Sequence, residues 1–272
     1  GQPVGLATLF TTELWERFSY YGMRAILVLY LVAPTEDGGL GMSTAQAVSI
    51  YGVYSAMVWL LAVPGGWLSD RAWGPRRTVL IGAIVIAGGH YVLAVPTSWA
   101  IWPGLACVAI GTGMLKPNSS AMVGGLYDED PDEGERRDAG FSIYYMGINI
   151  GGFIAPFVCG YLGEQIGWHI GFGAAGVGMT VALLVYWLAS PRTLGPIGKR
   201  VPNPASRELM RKVEHEGGFD VAECADIWKR MPAFGFVSGR STHAERIATI
   251  RAIWDKYHVE IDTHTADGLK VA

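Results

Sequence analysis

Apolar residues dominate the first 190 positions in six long runs, at roughly 7–33, 44–68, 78–96, 99–126, 139–163 and 170–190. A helix needs about 20 residues to cross a hydrocarbon core about 30 Å thick. The runs therefore predict six membrane-spanning helices and an all-α fold for this part of the chain. Gly and Pro recur inside them, as in Pro64-Gly65-Gly66, Gly111-Thr112-Gly113 and Gly151-Gly152, where small residues let membrane helices approach closely. The first run carries an exception. Glu13, Glu16, Arg17, Tyr20, Tyr21 and Arg24 are spaced i, i+3, i+4, i+7, i+8, i+11, which places them in one polar stripe on an otherwise apolar helix. A solvated face on a soluble helix would show the same stripe. Beside five further apolar runs it reads as the wall of a pathway, because ionisable groups in a membrane span normally face a partner or a water-filled cavity.

After residue 190 the pattern changes. Residues 193–204 are rich in Pro and Gly and read as a linker. Residues 205–215 and about 244–257 read as amphipathic soluble helices, the second with Ile247, Ile250, Ile253, Trp254 and Tyr257 on one face. The predicted organisation is a six-helix membrane part at 1–191, a linker at 192–204 and a small soluble part at 205–272.

Charge follows the same division. Residues 1–191 hold 8 Lys+Arg and 13 Asp+Glu, whereas the 81 residues from 192 hold 13 and 11, so the first part has a membrane composition and the second a soluble one. The formal net charge of −3 and the lack of a basic cluster give no support to a nucleic-acid partner. Cys107, Cys159 and Cys224 are isolated and form neither a disulfide framework nor a metal spacing. His243, His258 and His264 are spaced 15 and 6 apart, which fits no helical ligand pair. No metal site is expected. No cleavable signal peptide is read at the start, where Gly1 stands in place of Met.

Lys and Arg set the orientation. The connections at 34–43, 97–98 and 164–169 contain none. Those on the other side contain Arg71, Arg76, Arg77, Arg136, Arg137, Arg192, Lys199 and Arg200. By the positive-inside rule both ends of the six-helix part are cytoplasmic.

The candidate chemistry lies inside the spans. Lys116, in the fourth run, has no acid on its own helix. Either Glu13 or Glu16 supplies a partner from another helix, or the lysine snorkels to the interface. Ser142, Tyr145 and Asn149 share a face of the fifth run, and Asn149 suits helix packing as well as ligand binding. Asp70 can cap the turn between the second and third spans and pair with Arg71 or Arg77, which as an exposed pair contributes about 0–1 kcal/mol. The acidic run at 128–135 reads as a solvated loop.

Three motifs in order resemble the proton-dependent oligopeptide transporters, a branch of the major facilitator superfamily. They are Glu13-Leu-Trp-Glu16-Arg17-Phe-Ser-Tyr20-Tyr21-Gly22; Gly65-Gly-Trp-Leu-Ser-Asp70-Arg71 through Arg77; and Lys116-Pro-Asn together with Phe141 through Gly152. The resemblance covers residues 1–191 and implies one half of a twelve-helix carrier in the cytoplasmic (inner) membrane. It implies symport of protons with di- and tripeptides, no catalytic residues and no cofactor beyond the coupling proton. Glu13, Glu16, Arg17 and Lys116 would couple protons. Arg17, Tyr20, Tyr21, Tyr54, Trp59, Lys116 and Asn149 would contact substrate, with Trp59 standing where relatives often carry a tyrosine and Tyr54 as its substitute. Asp70, Arg71 and Arg77 would gate the cytoplasmic mouth. A partner is implied too, either a second transporter half or a second copy of this chain.

Residues 236–251 and 261–272 resemble a C-terminal stretch of threonine synthase, a pyridoxal-phosphate enzyme, without its cofactor-lysine region. A fragment chimera is the expectation, with a genuine fusion as the alternative. The function readings are a proton-coupled peptide carrier, an enzyme fragment on a membrane anchor, or a non-transporting membrane scaffold.

Overall fold

The computed structural model describes residues 1–128, 133–199 and 243–257. By packing, the chain divides into two units, Gly1–Pro204 and Ala205–Ala272. In the first, the described helices are α1 (Val4–Val32), α2 (Thr44–Leu60), α3 (Ala62–Leu68), α4 (Pro75–Leu93), α5 (Ile101–Gly125), α6 (Glu133–Ala155) and α7 (Trp168–Thr193).

Local chemistry sets the helix ends. At α2, the Ser43 side chain accepts from the Gln46 N–H, and the Gln46 side chain accepts from the Ser43 N–H, which is a capping box. Pro64 shapes the second span. Its ring cannot sit against the carbonyl four residues earlier, which is that of Leu60, and α2 ends there. The span resumes as α3 and finishes in a wide π-helical turn, Ser69–Trp73. Pro156 does the same in the fifth span, which leaves α6 through π-helical turns at Pro156–Gly160 and Leu162–Ile166.

The six predicted spans thus correspond to seven helices, with α2 and α3 sharing one crossing. Among the described residues, five segments are long and apolar enough to cross a membrane: Thr44–Trp73, Pro75–Leu93, Ser98–Gly125, Glu135–Ile166 and Trp168–Thr193. α1 fails that composition test because of its four charges. It is nevertheless 29 residues long, about 44 Å at 1.5 Å per residue, and it lies at the centre of the unit. α6, α7, α2 and α5 all pack on it, while α4 pairs with α5 and α7.

Close approach explains the glycines. On α4 and α5, a Cβ at Gly82 would lie 2.8 Å from the Gly111 carbonyl oxygen, and one at Gly111 would lie 2.6 Å from that of Gly82. Only hydrogen at both positions lets the two backbones cross there. A Cβ at Gly151 of α6 would collide with the Leu14 carbonyl of α1.

Several expectations change. The predicted 69–77 loop is almost entirely helical, with Gly74 at a φ of 75° as the break and Pro75 opening α4. Gly74 holds the cap position, so Asp70 caps nothing. The predicted linker does not begin at 192. α7 runs to Thr193, and residues 194–199 fold under the bundle. Leu194 is buried, the Arg76 N–H donates to the Gly198 carbonyl at 2.9 Å, and the Arg76 guanidinium donates to the carbonyls of Gly195 (3.1 Å) and Ser190. Glu133–Glu135, read as loop, open α6, while 129–132 lie outside the described residues.

In the second unit the described element is α8 (His243–Tyr257), matching the helix expected at about 244–257. Ile247, Ile250 and Ile253 are half-buried and Trp254 is exposed. The helix expected at 205–215, the stretches 236–242 and 261–272, and His258 and His264 lie outside the described residues.

Candidate functional site

Charge is buried in the middle of α1. Glu13 and Glu16 are 0% exposed and Arg17 is 3% exposed. Three ionic side chains in such a place require mutual compensation. Arg17 donates through Nη2 to Glu16 Oε1 at 2.6 Å and through Nε to Glu16 Oε2, a bidentate fork. Its Nε also lies 3.3 Å from Glu13 Oε1. The other oxygen of Glu13 turns to α6, where the Tyr144 hydroxyl donates to Oε2 at 2.7 Å. That hydroxyl is also 3.0 Å from Ser119 Oγ on α5. Three helices therefore meet at one hydrogen-bonded cluster.

Beside the cluster opens a cleft of about 290 Å³, lined by Arg17, Tyr20, Tyr21, Arg24, Tyr51, Ser55, Val58, Trp59 and Lys116. Its cations lie against aromatic faces. Lys116 Nζ sits 4.0 Å from the centre of the Trp59 ring, Arg17 lies 4.9 Å from Tyr20, and Arg24 lies 5.3 Å from Tyr51 and 5.9 Å from Tyr21. Aromatic faces attract cations without neutralising their charge. Such a wall can bind an anionic group through three cationic side chains and hydrogen-bond a polar backbone through its tyrosines.

The structure brings most of the sequence candidates together, with corrections. Lys116 is half-buried, and neither ion pair in the cluster includes it. It stacks on Trp59 where a carboxylate partner was expected. Tyr54, expected to replace a substrate tyrosine, is 4% exposed and packs behind Tyr20 at 6.5 Å between ring centres. Asn149 is exposed, bonds to the Tyr145 carbonyl of its own helix at 3.1 Å, and does not line the cleft. Asp70 and Arg77 are exposed, and Arg71 lies over the Trp67 ring at 5.5 Å. Arg76, which the sequence marks only as one of the orienting basic residues, ties α4 to the end of α7.

Tyr144 was missed. The spacing of polar residues points to the face of Ser142, Tyr145 and Asn149, which is the exposed one. A signal was present: Gly140, Tyr144, Gly147 and Gly151 are spaced i, i+4, i+7, i+11. A glycine stripe on a membrane helix marks the packed face, and the tyrosine within it is the buried one. Arg24 belongs to the cleft as well, and its place in the polar stripe already pointed there.

The family model described as "POT family" (PTR2) matches residues 76–211. The chain is 51% identical over 210 residues to an uncharacterised transporter, YclF, of Bacillus subtilis, covering 76% of this chain and 42% of that protein. It is 48% identical over 214 residues to a di-/tripeptide transporter of Lactococcus lactis, covering 78% and 42%. Among solved structures, a peptide transporter POT in complex with sulfate superposes with a TM-score of 0.72 at 43% identity, over 88% of this chain and 48% of that one. A peptide transporter POT carrying a glutamate-to-glutamine substitution, in complex with alafosfalin, gives 0.72 at 44%, over 85% and 47%. The chain thus spans less than half the length of these relatives. With its apolar helices, it is a multi-pass membrane protein.

Proposed function

The chain belongs to the POT family, and from that premise we propose that residues 1–199 are the N-terminal six-helix half of a proton-coupled carrier of di- and tripeptides. The observation that carries the reading is the juxtaposition of a buried Glu13–Glu16–Arg17 cluster with an open cationic cleft through a shared residue, Arg17. A peptide carboxylate in the cleft would compete with the two glutamates for that guanidinium. Protonating a glutamate would release Arg17 to the substrate, and losing the proton would draw it back. Proton and peptide are thereby linked through one side chain.

In this reading Glu13, Glu16, Arg17 and Lys116 couple protons. Arg17, Tyr20, Tyr21, Arg24, Trp59 and Lys116 face the peptide, and Tyr145 and Asn149 face the opposing half of the carrier. Asp70, Arg71 and Arg77 sit at the cytoplasmic mouth as gate residues, and both ends of the unit face the cytoplasm of an inner membrane. For residues 205–272, a threonine-synthase-like segment without transport function rests on sequence resemblance alone.

Carriers of this architecture move by rocking two halves around a midplane site. The test therefore joins residues 1–199 to the second six-helix half of the Lactococcus lactis relative and measures dipeptide uptake into liposomes. A pH gradient, acidic outside, should drive accumulation that a protonophore collapses. Correctly inserted protein with no gradient-dependent uptake would overturn the proposal.

A further inference from the structure

The two glutamates of α1 are not held alike. Glu16 has both oxygens engaged by the Arg17 fork. Glu13 has one oxygen at the edge of that guanidinium, 3.3 Å from Nε, and the other on the hydroxyl of Tyr144 at 2.7 Å. Tyr144 is 1% exposed, and its own oxygen is within 3.0 Å of Ser119 Oγ. The phenol has a single proton, and it is committed to Glu13. Ser119 can therefore act only as donor to the phenolic oxygen, which orients the O–H toward the carboxylate.

We infer that Tyr144, aimed by Ser119, is a positioning residue for Glu13 that sets when this carboxylate takes up a proton. The inference rests on the reading of Glu13 as a proton-exchanging group. The charged and titratable groups acting on Glu13 are Arg17 and Glu16 from its own helix, Tyr144 from α6 and Lys116 from α5. Arg17 places its fork on Glu16 and brings only Nε near Glu13, and Lys116 lies on Trp59. The phenol is thus the one neutral donor dedicated to Glu13 among these groups. A hydrogen bond given to a carboxylate favours its charged form. Removing it leaves a buried oxygen that is better satisfied as a carboxylic acid.

The test follows the carboxyl band by infrared difference spectroscopy as pH is varied, on the 272-residue chain in lipid nanodiscs. Glu13→Gln identifies the band by deleting it. Tyr144→Phe keeps the ring and its packing and should move the pH profile of that band upward by about one pH unit, while Ser119→Ala should move it the same way by less. A role in packing alone would lower the unfolding temperature without moving the profile. An unmoved profile in Tyr144→Phe overturns the inference, as does a band that survives Glu13→Gln. If Tyr144→Phe does not fold, Ser119→Ala decides, and an unmoved profile there overturns it equally. The spectroscopic result does not depend on transport. A responsive Glu13 in a carrier that takes up no peptide would sink the transport reading and leave the positioning role standing.

Discussion

At the scale of single residues, the site turns on one guanidinium serving two masters. Arg17 forks onto Glu16 and touches Glu13, and it also forms part of the cleft wall. Glu16→Gln, in the two-half carrier described above, takes away one carboxylate and leaves Glu13 as the acidic partner of Arg17. A carboxylate locked in that role cannot also exchange protons with substrate. Proton-driven accumulation should disappear, while exchange of labelled peptide down its gradient persists, because Arg17 can still hold a carboxylate. Counterflow and pH-driven uptake measured on the same liposomes separate the two. If Glu16→Gln concentrates dipeptide as well as the parent does, Glu16 has no part in coupling.

At the scale of helices, packing rests on close backbone crossings. α4 and α5 meet at Gly82 and Gly111, where a Cβ on either would press on the carbonyl oxygen of the other, a backbone atom that cannot swing aside. Gly111→Ala should therefore destabilise the unit by about 1–3 kcal/mol through overpacking. Gly88, also on α4, faces open space, and a Cβ placed there would meet nothing within 4 Å. Gly88→Ala should leave stability unchanged or slightly raised, because alanine is the better helix former. Thermal unfolding in one detergent compares the two directly. Equal effects would mean that the crossing at Gly111 is looser than the geometry described.

At the scale of the whole molecule, orientation is the property that joins site to function. Asp37 and Asp70 are both exposed and lie at opposite ends of the second span. With the native cysteines removed, Asp37→Cys should react with a membrane-impermeant maleimide added to intact cells, and Asp70→Cys should react only after the cells are opened. The reverse pattern would invert the orientation. The motive is the distribution of Lys and Arg among the connections, eight on one side and none on the other.

The amino-acid sequence determined the helices, their number of crossings and the identity of the charged cluster, because each is a short-range property. Span length follows from the thickness of a hydrocarbon core, and a polar stripe on a helix follows from its 3.6-residue period. Glu13, Glu16, Arg17 and Lys116 stood out as charges where charge is costly. Which of them pair is another matter. Lys116 faces Trp59, Tyr54 lies buried behind Tyr20, and Tyr144 holds Glu13, because those contacts depend on how α1, α2, α5 and α6 rotate against one another. Residues 194–199 looked like a linker, since their Pro and Gly content describes a chain that leaves a helix and not where it goes next. Their place under the bundle is set by Arg76, more than 110 residues earlier in the chain. Only the folded chain brings such a donor to those carbonyls.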